Sequence, residues 1–84
     1  MTKLTFDELT QFLERLGFTH RAIPGSHHLF EHAGADTFIM LRPYEPRDPV
    51  ETAGLAYVRH TLDQWGIMER EQFDDRIREF SLAG

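Results

Sequence analysis

The chain has 84 residues, of which 40% are hydrophobic and 27% are charged, and this size supports one domain with a single modest core. It contains no cysteine, which excludes disulfides and thiolate metal sites, and no apolar run long enough for a signal peptide or a membrane span, so we expect a soluble cytoplasmic protein. The net charge of −5 argues against a protein that coats nucleic acid by bulk electrostatics, but residues 18–30 carry no carboxylate and leave room for a local anion-binding surface.

The first predicted element is a helix from Phe6 to Leu16. Thr5 and Glu8 have the spacing of a capping box, in which the Thr5 hydroxyl accepts from the Glu8 amide and the Glu8 carboxylate accepts from the Thr5 amide. Gly17 stands where a left-handed C-terminal cap would lie. Apolar residues recur along the helix at intervals that give it one apolar face: Phe6, Leu9, Phe12, Leu13 and Leu16.

Three antiparallel strands are predicted to follow this helix. Residues 18–23 mix polar and apolar side chains, Pro24-Gly25 supplies a turn, and residues 28–31 resume an extended pattern, so these segments predict a hairpin. A second turn at residues 33–36 precedes the apolar and β-branched run 37–41, which predicts the third strand.

Alternation within the hairpin predicts which histidine is exposed. Neighbours in a strand point to opposite faces, so His27 shares one face with Leu29, while His28 shares the other with Phe30. Because Phe30 is the larger apolar side chain, we expect Phe30 and His28 to face the helices and His27 to be exposed beside the turn. A bulge or a register shift of one residue would reverse this assignment.

A second helix is predicted after a proline-containing segment. The prolines between residues 43 and 49 exclude a regular helix from Arg42 to Asp48, because each removes a backbone donor and restricts the residue before it. Asp48 is then the expected N-cap, with Pro49 at the first helical position and Glu51 three residues after the cap.

The apolar faces of the last two helices complete the predicted core. Leu55, Val58, Leu62 and Trp65 share a face of the second helix, which is expected to end at Gly66 with Trp65 in the core. The third helix carries Phe73, Ile77 and Phe80, which we expect to pack within the chain rather than against a second copy. This order of elements predicts an α+β domain whose helices cover one face of the sheet and leave the other open for a ligand.

The Gly25-Ser26-His27-His28 segment carries the chemistry that the sequence offers. RNA cleavage without a metal needs a base for the 2′-hydroxyl proton, an acid for the leaving oxygen and cations near the phosphorane. An exposed histidine can supply the base or the acid, Gly25 and Ser26 can present backbone donors, and Arg21 or Arg42 can supply charge.

Other roles for the histidines are weighed against this one. Most histidines of a soluble domain lie on the surface or make ordinary hydrogen bonds. A metal site is not expected, because the chain has no HExxH spacing and alternating strand positions do not converge on one ion: His20, His27, His28, His32 and His60.

Residues 9–18 and 25–32 resemble the HicA family of toxins, also called YcfA-like, and the resemblance extends over residues 4–67. These proteins begin with a helix that ends in a Leu-Gly-Phe-like step, here residues 16–18, followed by a hairpin with Gly-Ser-His before an aromatic or apolar residue. The resemblance implies a fold similar to the double-stranded RNA-binding domain, helix–strand–strand–strand–helix. Residues 1–67 would form the HicA-like domain, and residues 68–84 a helical extension packed on or beside it.

The resemblance also implies an activity and partners. It implies the toxin of a type II toxin–antitoxin system, an endonuclease that cleaves mRNA independently of the ribosome and is held inactive by a HicB antitoxin. The histidine of Gly-Ser-His is the catalytic residue of the family, which is His27 here, with His28 as the alternative. No cofactor is expected, and a homodimer is left open. The residues expected to contact RNA are Arg21, Gly25, Ser26, Arg42 and Arg47.

The chain departs from the family pattern at two places. Ile23-Pro24 stands where a lysine is common, and the step after the third strand lacks the family's histidine, although Arg42 or Arg47 can replace the charge. These departures keep a second interpretation open, namely a non-catalytic domain of the same fold that binds RNA or serves as a protein-interaction module.

Overall fold

The computed structural model describes residues 4–23 and 27–83 and has an α+β architecture, as the sequence predicts. The three strands form one antiparallel sheet in the order β1-β2-β3. In chain order the elements are α1 (Phe6–Arg15), β1 (Thr19–Ala22), β2 (His28–His32), β3 (Thr37–Leu41), α2 (Thr52–Gln64) and α3 (Arg70–Ala83). The turn predicted at Pro24-Gly25 lies outside the described residues.

Local capping defines both ends of α1, as predicted. The Thr5 amide donates to Glu8 Oε1 at 2.9 Å and the Glu8 amide donates to Thr5 Oγ1 at 3.2 Å, which completes the capping box. The helix ends at Arg15, one residue before the predicted end, and Gly17 has a φ of +101°, the left-handed conformation of a glycine cap.

Strand register sorts the side chains onto two faces of the sheet. His20 pairs with Phe30 and Phe30 with Ile39, and both apolar side chains are fully buried against the helices. His28 pairs with Leu41 on the same face and is partly buried, whereas His27 is exposed. The predicted assignment, with His28 and Phe30 inward and His27 outward, is confirmed.

The predicted start of α2 is wrong. The helix begins at Thr52 after Glu51, whose side chain makes no capping hydrogen bond. The Val50 amide instead donates to Leu4 O at 2.8 Å, and the Asp48 carboxylate accepts from the Glu45 amide at 2.9 Å. Pro49 therefore forms an antiparallel bridge with Thr5, and this pairing with the segment before α1 prevents Asp48 from capping a helix.

The expectation that Trp65 lies in the core is also wrong, because its side chain is 53% exposed. Val58 and Leu62 on the same helix face are fully buried, but α2 ends at Gln64 and Trp65 is its C-cap. Gly66 has a φ of +67° and ends the helix as predicted. The chain thus turns away from the helix face at the position where Trp65 would have reached the core.

The apolar side chains of α3 pack within the chain. Phe73 is 3% exposed and belongs to the same core cluster as the residues of α1 and the sheet. Phe12 meets the rings of Phe73 and Phe80 edge-to-face, with centroids 5.8 and 6.0 Å apart. A division into residues 1–67 and 68–84 stays a prediction, and no helix in the described part of the chain is long and apolar enough to cross a bilayer.

Candidate functional site

The face of the sheet opposite the core carries an exposed apolar surface. Alternation places Leu29, Phe38 and Met40 on this open face, with Phe38 56% exposed and Met40 41% exposed. Burying apolar area of this kind is favourable, and an aromatic ring on an open sheet can stack on a planar ligand. The open face therefore offers an apolar surface on which a ligand can bind.

His27 lies at one end of the open face, next to the edge of the described sheet. Its carbonyl accepts from the Ile23 amide at 2.9 Å, which extends the pairing of β1 with β2 by one residue. Ile23 is 38% exposed and adds to the apolar surface at this end. This backbone hydrogen bond fixes the position of the His27 backbone at the end of the strand pair, and the His27 side chain is exposed there.

Two arginines proposed to contact RNA stand near this end, each beside a carboxylate. Arg21 Nη2 lies 3.4 Å from Glu31 Oε1, and both side chains are more than half exposed. An exposed ion pair of this kind contributes about 0–1 kcal/mol, so the Arg21 guanidinium can exchange Glu31 for a phosphate at little energetic cost.

Arg42 is held more firmly than Arg21. Its Nε donates to Glu51 Oε1 at 2.9 Å, and its guanidinium lies 4.1 Å from the centroid of the Tyr44 ring. The hydrogen bond with Glu51 raises the pKa of Arg42. His28 and Leu41 are paired across β2 and β3. His27 directly precedes His28 and Arg42 directly follows Leu41, so His27 and Arg42 lie at the same end of the sheet.

The remaining RNA-contact candidates are not brought into the site. Arg47 is exposed in the segment between β3 and α2 and makes no ion pair with a described residue. Gly25 and Ser26 lie outside the described residues, so their expected contact with a phosphate stays a prediction.

His28, the alternative catalytic residue, has both ring nitrogens engaged. Its Nδ1 lies 2.9 Å from His20 Nε2, and its Nε2 lies 3.2 Å from the carbonyl oxygen of Tyr44. Phe6 covers the ring, with centroids 4.4 Å apart. A nitrogen must exchange its present partner before it can transfer a proton to a substrate, so His28 is poorly placed for acid–base chemistry in this arrangement.

His32 fastens the end of α1 to the turn between β2 and β3. Its Nε2 lies 2.9 Å from Leu16 O, and its Nδ1 accepts from the Ala35 amide at 3.0 Å. Because a carbonyl only accepts, Nε2 carries the proton and both nitrogens are satisfied in the neutral ring. His32 therefore has a structural role. Among the described residues no group of three or more His, Asp or Glu side chains is placed to hold a metal ion.

Phe38 is the residue of the open face that sequence reasoning missed. The apolar and β-branched composition of Thr37–Leu41 predicts a strand but does not by itself show which side chains share a face. Once Ile39 is assigned to the core, alternation requires Phe38 and Met40 to point to the other side. That alternation was the signal available in the sequence.

The chain was compared with protein-family models, with curated proteins and with solved structures, and none of the three comparisons found a match.

Proposed function

We propose that this chain is a HicA-like toxin of the cytoplasm that binds mRNA on its open sheet face and cleaves it with His27 as general acid or base. The observation that carries the proposal is the position of His27, an exposed imidazole at the end of a face that also presents Phe38. The order α1-β1-β2-β3-α2 is compatible with a fold like that of the double-stranded RNA-binding domain.

The chemistry assigned to His27 is a single proton transfer. A neutral imidazole can accept the proton of a ribose 2′-hydroxyl as that oxygen attacks phosphorus, with solvent water protonating the leaving 5′-oxygen as its bond to phosphorus breaks. Alternatively, the protonated ring donates to the leaving oxygen while water takes the 2′-hydroxyl proton. Arg42, at the same end of the sheet, and Arg21 on β1 supply the positive charge that offsets the phosphorane. Each guanidinium must then leave its carboxylate partner, Glu51 or Glu31, for the phosphate.

Phe38 is proposed to anchor the RNA on the open face. It pairs with Glu31, towards the end of the sheet opposite His27, so the bound RNA must run along the open face to reach the imidazole. Stacking of a base on an aromatic side chain contributes about 1–3 kcal/mol and needs an unstacked base. It does not depend on net charge, which suits a chain of charge −5. The substrate proposed for this face is therefore a single-stranded segment of mRNA rather than a duplex.

Expression in bacteria tests the proposal in cells. Wild type, His27→Ala and His28→Ala are produced at matched levels, and growth and the integrity of cellular RNA are followed. We expect growth arrest with RNA loss in wild type, and neither effect in His27→Ala. Equal behaviour of all three chains would remove the catalytic claim, and a loss of activity in His28→Ala alone would assign it to His28. A neighbouring reading frame for a HicB-like antitoxin would support the toxin assignment.

The second candidate function is a non-catalytic module that binds a protein partner. Pairing of Arg21 with Glu31 and of Arg42 with Glu51 lowers the positive potential around an apolar face. An apolar patch with balanced charge is typical of protein-interaction surfaces. A homodimer stays a prediction under this candidate.

Titration with a fluorescent single-stranded RNA separates the two candidates. If the open face binds RNA, Phe38→Ala should weaken binding about 5- to 150-fold, equivalent to 1–3 kcal/mol, and Phe38→Tyr should retain it. Met68→Ala, remote from the open face, is the control. Absence of binding even at low ionic strength would favour the protein-interaction module.

A further inference from the structure

We infer that His20 and His28 form a proton-linked latch, which holds the end of the hairpin against the backbone of Tyr44 and opens when both imidazoles are protonated. The two rings lie diagonally on the inner face of β1 and β2, with ring centroids 5.0 Å apart. The latch concerns residues outside the proposed catalytic chemistry of His27, and only its effect on RNA cleavage rests on the proposed function.

The partners of His28 assign the protons of the neutral pair. The Tyr44 carbonyl can only accept a hydrogen bond, so His28 Nε2 carries a proton and donates to it over 3.2 Å. In the neutral ring His28 Nδ1 is then an acceptor, and His20 Nε2–H donates to it over 2.9 Å. This arrangement leaves His20 Nδ1 as the nitrogen that accepts the next proton.

The pair can hold one additional proton but not two. A singly protonated pair keeps one N–H between the rings, so the 2.9 Å contact between His20 Nε2 and His28 Nδ1 survives. When both imidazoles are charged, each of these two nitrogens carries a hydrogen and neither can accept. Two N–H groups of like-charged rings cannot remain at that distance, so the second proton must separate His20 from His28.

The surroundings of the pair resist the doubly charged state. His20 stacks on Phe30 with centroids 4.7 Å apart, and Phe6 covers His28. Burial, followed by the nearby His28, lowers the pKa of His20, while Glu14 on α1 acts in the opposite direction. Tyr44 supplies the carbonyl on the remaining side and carries the guanidinium of Arg42 over its ring. The aromatic contacts therefore favour the latched, neutral pair.

The latch joins three parts of the proposed site. His20 belongs to β1, His28 to β2, and Tyr44 to the segment after β3. His27 directly precedes His28 in the chain, and the Arg42 guanidinium stacks on Tyr44. The proposed acid–base residue and the proposed cation are therefore each attached to a member of the latch. If the proposed function holds, opening the latch moves His27 away from Arg42. The rate of RNA cleavage should then decrease with falling pH more steeply than protonation of a single group would cause.

Imidazole nitrogen NMR tests the latch without RNA. Two-bond proton–nitrogen spectra of the labelled full chain are recorded at about pH 7.5 and about pH 5, on either side of the ordinary histidine pKa. We expect His28 in the Nε2–H form at the higher pH, and loss of the contact between His20 Nε2 and His28 Nδ1 at the lower one. A His28 ring in the Nδ1–H form at the higher pH would overturn the inference.

Hydrogen exchange then tests whether protonation opens the hairpin. Protection factors of the β1 and β2 amides should fall about tenfold or more between the same two pH values in wild type, the equivalent of one pKa unit. His20→Phe keeps the stacking on Phe30 without a titrating group and should remove most of this fall, with His20→Asn as a second variant if it folds poorly. His60→Asn, at an exposed imidazole on α2, should behave as wild type.

An equal fall in the His20 variants and in wild type would contradict the latch. Neither measurement contains RNA, so the latch can fail while His27 remains catalytic. Equally, the latch can be present in a chain that does not cleave RNA.

Discussion

At the scale of single residues, Gly17 and His32 contact each other so closely that neither can be changed or moved without disturbing the other. Gly17 has a φ of +101°, and a Cβ built there would lie 3.1 Å from His32 Nε2. His32 is itself fixed by Leu16 and Ala35, so it cannot move away without losing a hydrogen bond. The glycine and the histidine thus hold the end of α1 together.

Substitution of this glycine should be more harmful than substitution of the other helix-ending glycine. Gly17→Ala combines left-handed strain of about 1–2 kcal/mol with displacement of His32, whereas Gly66→Ala carries the strain alone, since nothing lies within 4 Å of its built Cβ. Urea unfolding of both variants measures the difference. Equal losses of stability would show that His32 yields freely and does not fasten the helix end.

The histidine at position 20 makes a pH prediction with a definite sign. Because burial lowers the pKa of His20 below 6.5, the unfolded chain binds more protons than the folded chain as the pH falls through that value. Its stabilising contribution is complete above pH 6.5 and decreases below it, down to the folded pKa. The unfolding free energy of wild type should therefore fall more than that of His20→Phe between about pH 7.5 and about pH 5. A parallel decline would contradict the shift.

At the scale of elements, the sequence predicts what is encoded locally. The α1 boundaries follow from a capping box, a repeating apolar face and a glycine, all within a few residues of each other. The start of α2 does not follow from local sequence, because Val50 is paired with Leu4, a partner 46 positions away along the chain. Trp65 shares the period of the core face, yet the helix ends one residue before it. Periodicity gives the face of a helix but not its length.

The third helix provides the prediction at this scale. Phe73 is 3% exposed and meets Phe12, so Phe73→Ala should destabilise the chain by about 3–5 kcal/mol. Phe38→Ala is the matched control, since its ring is 56% exposed and its loss should cost less than about 1 kcal/mol. Urea unfolding followed by circular dichroism compares them. Similar losses would mean that α3 is not part of the core on which the fold depends.

At the scale of the whole molecule, the sheet separates a face that packs in the core from the open face that we propose to bind RNA. The sequence predicts that His27 points away from the core, because that depends only on strand parity and on the assignment of Phe30 to the core. The partners of Arg21 and Arg42 were not predictable, since Glu31 and Glu51 reach them through the register of the sheet and the path of the segment after β3. The same holds for the contact between His20 and His28.

The measurement that tests the account most directly is the cleavage of a defined single-stranded RNA by the purified chain in the presence of a metal chelator. Wild type should cleave it, His60→Ala should match wild type, and His27→Ala should be slower by about 10²–10⁴, the usual contribution of a general acid or base. Equal cleavage rates for wild type and His27→Ala, or a wild-type chain that binds the RNA and leaves it intact, would contradict the proposed role of His27.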